Sequence, residues 1–490
     1  MHEPATLPSV NPSQSYWLQS LSPVLKGHRT TEDLPEEADV VIVGSGITGA
    51  FAADFLLRHE HDGAEGSKEK KSVVMLEARE VCGGATGRNG GHCQPQVYLA
   101  VPEVAAFELE TYEFLKTLAK EQNIDCDWVS FTGVHAFYSA PMFETAAASV
   151  HDLQQTRPSL GSQLEAIRGT DKARLADLKV PTAHGVIIQK KAASLWPYKL
   201  VAHVIEQLLP FENFNLQTNT PVTSLSPLSS GGWALETPRG MIKAKQVLLA
   251  TNGYTSHLLP KFADLIVPTR SQISAVLPPN SGSQPAELKH SYLFAADPDV
   301  NDGTNAPRDD YLVQRPLPGG EIIYGGGRRF AKNLGVGVSS DEEVESQIAK
   351  YLRSNLSPPL DLTPPGKVIE GEGELKASYE WTGIMGYSRD QHAWVGQVPE
   401  SLGGGKEGGL YICAGYSGHG MPSAALSGRA VVRLMLGLDE PQTVIQGGKI
   451  EKREVLPERF RVSEERLRRA REECAQVNGG WEVNSFATLI

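Results

Sequence analysis

The chain has 490 residues, 40% of them hydrophobic and 21% charged, which is ample for two or more compact units of a globular protein. A formal net charge of −12 argues against nucleic acid or an anionic membrane surface as partner and leaves small molecules as the expected ligands. No apolar run reaches the length of a membrane span, and the Pro/Ser-rich stretch 1–13 lacks a hydrophobic signal core. The five cysteines form no C-x-x-C, so neither a disulfide framework nor a redox dithiol is indicated and a cytoplasmic address is expected.

In chain order, the aromatic cluster Ser15-Tyr16-Trp17-Leu18 is expected to pack on a domain surface. Val40 to Val43 is a continuous β-branched run, as a parallel strand covered on both faces requires. Gly44, Gly46 and Gly49 follow at G-x-G-x-x-G spacing: a tight turn, a close backbone approach to a pyrophosphate, and close helix–strand packing. A helix from Thr48 to His59 is predicted, its N-terminus offering N–H groups and partial positive charge to a phosphate. After a polar surface loop, Glu60 to Lys71, the strand Ser72 to Leu76 ends in Glu77, the acidic residue expected to hold a ribose hydroxyl. The glycine-rich loop from Arg79 to His92 fits neither helix nor strand and brings backbone close to a ligand, by position the same nucleotide.

Together with a late Gly415-Tyr416-Ser417-Gly418-His419-Gly420, these motifs resemble the D-amino-acid oxidase superfamily of FAD-dependent amine oxidases. The early Tyr-Trp and the Gly87-Arg88-Asn89-Gly90-Gly91 loop resemble its branch around gamma-glutamylputrescine oxidoreductase. The resemblance spans about Tyr16 to Arg459. It implies an α/β (α+β) fold in which a Rossmann-like FAD-binding domain is interleaved with an antiparallel-sheet substrate domain. The expected division is a leader 1–38, FAD-binding parts 39–100, 185–264 and 357–440, substrate parts 101–184 and 265–356, and a charged tail 441–490. It also implies FAD held by Gly44, Ser45, Gly46, Ile47, Thr48 and Gly49, by Glu77, Ala78 and Arg79, and by Gly84, Ala85, Thr86, Arg88, Asn89, Gly90 and Gly91. Val222, Thr251, Asn252, Gly253, Gly383, Gly418, His419, Gly420 and Met421 complete the set, and no residue is assigned to a metal.

Further along, Val101 to Asn123 reads as an amphipathic helix, followed by a strand at Val134 to Tyr138 and a polar helical stretch to Lys172. Val186 to Gln189 is expected to return as a strand of the FAD-binding part, before a helix from Tyr198 to Leu209. Strands are predicted at Phe214 to Thr218, Val222 to Leu225, Trp233 to Glu236, Met241 to Lys243 and Gln246 to Ala250. Leu265 to Leu277, Tyr311 to Gln314 and Glu321 to Gly327 alternate like antiparallel strands, and Asp341 to Leu352 reads as a polar-faced helix. Ser357 to Gly373 is a Pro/Gly-rich linker, Leu410 to Ala414 a strand, Ser423 to Leu436 a helix, and Lys452 to Arg471 a solvated tail, helical from Ser463.

A flavin oxidising an amine takes hydride at N5 while a nearby positive dipole steadies the charge at N1. The helix beginning at Pro422 is the expected dipole. His92, Trp381 and Tyr416 are the catalytic candidates, with Gln94 and Tyr311 beside them, though for each a packing role would account equally well. The substrate is expected to be an amine and the acceptor molecular oxygen. An amine dehydrogenase with another acceptor, or a non-catalytic protein retaining FAD, are the alternatives. A nicotinamide-fed reductase is disfavoured because Gly325–Gly327 and Gly403–Gly405 do not form a second dinucleotide motif. Sarcosine-oxidase-like relatives carry a linking cysteine near the position of Gly383, so no cysteine link in the carboxy-terminal half is expected here.

Overall fold

The unbroken apolar run of Glu37–Val43 is buried from Val40 to Val43 and forms a central strand of a parallel sheet. In this computed structural model residues 2–62, 70–279, 287–298, 306–356, 359–362, 373–438, 444–446, 449–451 and 455–473 are described. The sheet runs Trp394–Gln397, Leu410–Ala414, Gly240–Leu249, Glu37–Val43, Val73–Leu76, Phe214–Gln217. All neighbours are parallel except the first pair. Trp233–Thr237 and Ser224–Pro227 hang from Gly240–Leu249 as an antiparallel ribbon. Gly240–Leu249 is one strand where the sequence suggests two, and the strand predicted from Val222 to Leu225 forms instead at Ser224–Pro227, leaving Val222 just ahead of it.

The second sheet runs Ala377–Ser388, Ile266–Val276, Ile322–Gly325, Arg308–Gln314, His290–Ala296, Val129–Phe137, Gly185–Ser194, His92–Cys93, with Leu164–Arg168 attached to Gly185–Ser194. It is antiparallel but for the pair His290–Ala296 and Val129–Phe137. Three segments expected in the FAD-binding parts belong to it: His92–Cys93, which pairs with Gly185–Ser194, Gly185–Ser194 itself, which also pairs with Val129–Phe137, and Ala377–Ser388, which pairs with Ile266–Val276. The apolar runs of the two longer segments are equally good for either sheet, and long-range pairing decides.

Helix Ile47–Asp62 packs against the late helix Ala424–Met435, so closely that a Cβ on Gly428 would stand 2.6 Å from the Thr48 carbonyl oxygen. Pro102–Glu121 and Pro197–Glu206 form near their predicted places. The stretch to Lys172 is broken: helix Ala140–Thr156, a short turn of helix, then Leu164–Arg168. The predicted helix from Asp341 starts only at Ser346, because Asp341 is drawn into a buried ion-pair cluster. The tail is not merely solvated, since Phe460, Leu467 and Ala470 are buried and Arg466 grips Asp390 at 2.8 Å while lying over the Trp394 ring. The predicted linker 357–373 falls outside the described residues except 359–362 and 373, and the predicted loop 60–71 does so at 63–69. Among the described residues no helix is long and apolar enough to cross a membrane.

The leader also departs from expectation. Trp17 is fully buried, its indole N–H donates to the Asn89 carbonyl at 2.5 Å, and its ring meets Trp196 and Trp381 edge-on. A hydrophobic cluster of this size is core, whatever the polarity of its flanks. Trp17→Ala is therefore expected to cost about 3–5 kcal/mol. This would be read as a lower urea midpoint at unchanged slope. Val10→Ala, at a residue 85% exposed, should leave the midpoint in place.

Candidate functional site

The glycine turn is fixed by contact. Gly44 has φ +106° and leaves only 2.7 Å between a built Cβ and the Ala250 carbonyl oxygen, while a Cβ on Gly49 would sit 1.9 Å from the Gly44 oxygen. No larger residue fits at either place. Glu77, at the end of Val73–Leu76, accepts the Ser45 N–H at 3.0 Å, the Ser45 hydroxyl at 2.6 Å and the Arg79 N–H at 2.9 Å. Ile47 N–H donates to Thr86 Oγ1 at 3.2 Å, tying the glycine-rich loop to the first turn of the helix.

Arg79 and Arg88 share one carboxylate, Asp341, at 3.0 and 3.1 Å. Arg88 also donates to the carbonyls of Ser13 (2.6 Å), Thr382 (2.8 Å) and Gly83 (3.2 Å), so its guanidinium is a structural tie between loop, leader and second sheet. Burial pulls Arg88 down to about 10. Two cations share one anion in this cluster, with the Glu77 carboxylate lining the cavity beside them.

Between the carboxyl ends of the parallel strands and the face of the second sheet lies a cavity of about 460 Å³. Of the residues named from sequence, Gly44, Gly46, Ile47, Thr48, Glu77, Ala78, Arg79, Gly84, Ala85, Thr86, Arg88, Asn89, Gly90, Val222, Thr251, Asn252, Gly383, Gly418, His419, Gly420 and Met421 line it, as do His92 and Tyr416. Five do not. Ser45 is turned to Glu77 and Cys82, Gly49 packs on Gly44, and Gly91 lies against the Trp17 ring. Gly253 is pressed on the Met385 carbonyl, and Trp381 is fully buried with its indole N–H on the Arg88 carbonyl at 2.9 Å. Trp381 is thus a packing residue.

Tyr416 also turns its hydroxyl away from chemistry, to Thr48 Oγ1 at 2.8 Å and the Cys413 sulfur at 3.1 Å. Burial pushes the Cys413 thiol up to about 12 and that of Cys93 higher still, so neither is a thiolate nucleophile toward a cofactor. His92 lies edge-on to Tyr311 with Nδ1 on the Gly90 carbonyl at 3.2 Å, and burial takes it down to about 4. His419 is likewise lowered to about 4 and His135 to about 3 by burial, so all three are neutral at physiological pH.

Sequence reasoning missed Arg328 and Asp309, which face the cavity from the second sheet. Arg328 donates to the Tyr387 hydroxyl at 2.8 Å and to Asp309 at 3.0 Å. Burial opposes its charge, but Tyr387 and Asp309 outweigh that and hold it protonated. The turn that presents it is pinned by Asp310, which accepts the Gly327 N–H at 2.9 Å and ties to Arg308 at 2.5 Å. The Gly325–Gly327 triplet just before an arginine was the available signal.

The site fits an extended, anionic, polar cofactor. Its lining runs from the glycine turn to the start of Ala424–Met435 and includes Arg79 and Arg88, and four buried polar atoms of that lining, His92 Nε2, Tyr254 Oη, His257 Nε2 and Tyr292 Oη, have no partner in the protein. A parallel sheet with a dinucleotide turn, set against an antiparallel sheet across one cavity, defines a two-sheet flavoenzyme of mixed α/β architecture. Residues 39–434 match the family described as FAD dependent oxidoreductase, DAO, and the chain belongs to it. It is an FAD-dependent oxidoreductase of the amine or amino-acid oxidase type. The probable oxidoreductase OrdL of Haemophilus influenzae is 22% identical over 439 residues, covering 85% of this chain and 86% of its own. The gamma-glutamylputrescine oxidoreductase of Escherichia coli K12 is 22% identical over 417 residues, covering 81% and 84%. Glycine oxidase from Geobacillus kaustophilus has the same fold, with TM-score 0.63 at 16% identity over 86% of this chain and 100% of its own. The amino acid oxidase NikD follows at 0.62 and 17%, over 82% and 94%.

Removing Asp341 leaves the buried Arg88 and the part-buried Arg79 without their counter-ion. Asp341→Ala is expected to lose about 3–5 kcal/mol of stability. Chemical denaturation of the FAD-free protein would measure it, and a loss within experimental error would show that the cluster is replaced by solvent.

Proposed function

We propose that this enzyme oxidises the C–N bond of an amino acid or of an amine carrying an acidic group, with molecular oxygen as acceptor. The observation that carries the reading is the charged Arg328, held by Asp309 and Tyr387 on the cavity wall opposite the glycine turn. A planar guanidinium recognises a carboxylate with two parallel hydrogen bonds, and here it is already oriented.

FAD, when bound, supplies the two-electron acceptor that takes hydride from the carbon beside the substrate nitrogen. The chain's own residues bind and orient. Glu77 would hold the ribose hydroxyls, Arg79 and Arg88 would face the diphosphate with their shared positive charge, and the start of Ala424–Met435 would face developing negative charge. The apolar, partly closed setting with neutral His92, His135 and His419 favours the uncharged amine, whose lone pair is needed to form the C=N bond as hydride leaves. Water then adds to the imine. No residue need act as a nucleophile, which agrees with the engagement of the Tyr416 hydroxyl and the burial of both nearby thiols.

The test is anaerobic bleaching of the purified yellow protein by amino acids, N-methyl amino acids, polyamines and γ-glutamyl polyamines, followed by readmission of air. Bleaching by substrates that carry a carboxylate, with recolouring in air, is expected; bleaching by polyamines alone would overturn the substrate class. Arg328→Met should raise KM for the best acidic substrate on the order of ten- to a hundred-fold, from the loss of a charged hydrogen-bond pair of about 1.5–3 kcal/mol. Uncharged amines should be unaffected. Glu77→Ala should weaken FAD binding by a similar factor, measured by titrating apoprotein and following flavin fluorescence. Unchanged affinity would remove Glu77 from the cofactor site.

A further inference from the structure

Glu108 lies in the middle of the helix Pro102–Glu121, is 2% exposed, and lines the cavity. Its Oε2 accepts the Gln96 N–H at 2.6 Å and its Oε1 accepts the Ser423 hydroxyl at 3.2 Å. Ser423 is the residue before Ala424–Met435. A serine there commonly turns its oxygen back to cap the helix, yet this one makes no such cap. Its hydrogen bond goes to Glu108 instead. A carboxyl group is therefore attached to the start of the helix whose positive end faces the cavity.

The groups around it do not supply a counter-charge. Cys93, on the short strand His92–Cys93, is a neutral thiol that feels Glu108. His419 is neutral and touches Gln96 at 2.5 Å. On its own helix, Glu103 is engaged with Arg459 and Glu113 with Lys191, while Lys116 lies over Tyr112. Arg429 of the late helix lies over Phe55 and Phe114. Burial raises the Glu108 carboxyl to about 7, with the two hydrogen bonds pulling the other way.

We propose that Glu108 is a positioning residue that couples the charge of the bound flavin to a proton, its carboxylate taking up that proton when the flavin is reduced. This rests on the reading that the electron-accepting ring lies at the start of Ala424–Met435. With FAD bound, uptake of two electrons from a mediator dye and one proton would add one negative charge to the cofactor, and a second proton from solvent would go to a Glu108 oxygen. The balance is two electrons and two protons. The sign follows. Below the pKa Glu108 is neutral in both redox states and has no effect; through it, reduction becomes harder because a proton must be gained; above it, the carboxylate repels the added charge by a constant amount.

The measurement is the midpoint potential of the holoprotein against reference dyes from about pH 5.5 to 8.5. No amine enters it, so the substrate assignment is not at stake. The wild type should show an extra downward bend near neutrality. Glu108→Gln should follow the wild type at the acid end, lie above it at the alkaline end and lack the bend. Parallel curves overturn the proposal. Should Glu108→Gln fail to load FAD, Ser423→Ala decides: loss of a donor to the carboxylate moves the bend to higher pH, and an unmoved bend overturns the proposal. Gly420→Val separates the two readings. A Cβ at this position comes no closer than 3.8 Å to the protein, at Tyr416, so the backbone itself does not forbid a side chain there. A Gly420→Val holoprotein with wild-type potential at every pH would show that the ring lies elsewhere, whatever Glu108 does.

Discussion

The buried triad of Arg88, Asp341 and Arg79 is the constraint on which the site depends. Asp341 is fully buried, and Arg88 spends its remaining donors on the backbone of Ser13, Gly83 and Thr382. Those carbonyls come from the leader, the glycine-rich loop and the edge strand of the second sheet. One guanidinium thus fixes three segments far apart in sequence around the same corner of the cavity. The arrangement costs desolvation of three charges, which ion pairing alone would not recover. The several charge-assisted hydrogen bonds are what make it tolerable. Within the triad one positive charge is in excess, and the Glu77 carboxylate stands beside it on the cavity lining.

Away from that corner the electrostatics are balanced or silent. Arg328 is matched by Asp309, and burial keeps His92, His135 and His419 neutral. Such a site has little charged acid–base machinery of its own, which suits the proposed reading that it holds reactants in position within a low-dielectric space. That is the environment in which an amine stays unprotonated and a fixed dipole or a single carboxyl exerts its largest effect. Glu108 differs from these histidines, since burial raises its carboxyl into the neutral range rather than driving it out.

Much of the nucleotide half was legible because its chemistry is local. Gly44, Gly46 and Gly49 are spaced by the turn itself, and Glu77 ends the adjacent strand. The antiparallel sheet was harder to read. Its strands His290–Ala296 and Gly185–Ser194 carry no motif, and their partners are set by pairings over 150 residues apart or across the domain division expected at residue 185. The same reason hid Arg328, whose meaning comes from Tyr387 and Asp309 on two separate strands of the second sheet. Two tryptophans misled in opposite directions. Trp17, set among polar neighbours, suggested a surface residue, whereas Trp381 suggested a catalytic residue. Both are core residues that hold the loop carbonyls of Asn89 and Arg88.

Those two indole hydrogen bonds explain why a glycine-rich loop can serve as a rigid cradle. Glycine lowers the steric barrier to close approach and raises the entropy lost on ordering, so such a loop left to itself would fluctuate. Here Trp17 and Trp381 each take one loop carbonyl, Arg88 folds back on Gly83, and Gly91 is trapped against the Trp17 ring. The same logic operates at the opposite edge of the cavity, where Arg466 fastens a late helix to Asp390 and Phe460 joins the lining. Since Leu7 and Pro8 also line the cavity, segments from the earliest and latest described parts of the chain meet around one space. Closing it requires contacts of very high sequence separation, which are entropically expensive to form before the sheets exist. The cavity is therefore expected to be among the last features to order, and a ligand that bridges its walls to stabilise the native state by mass action.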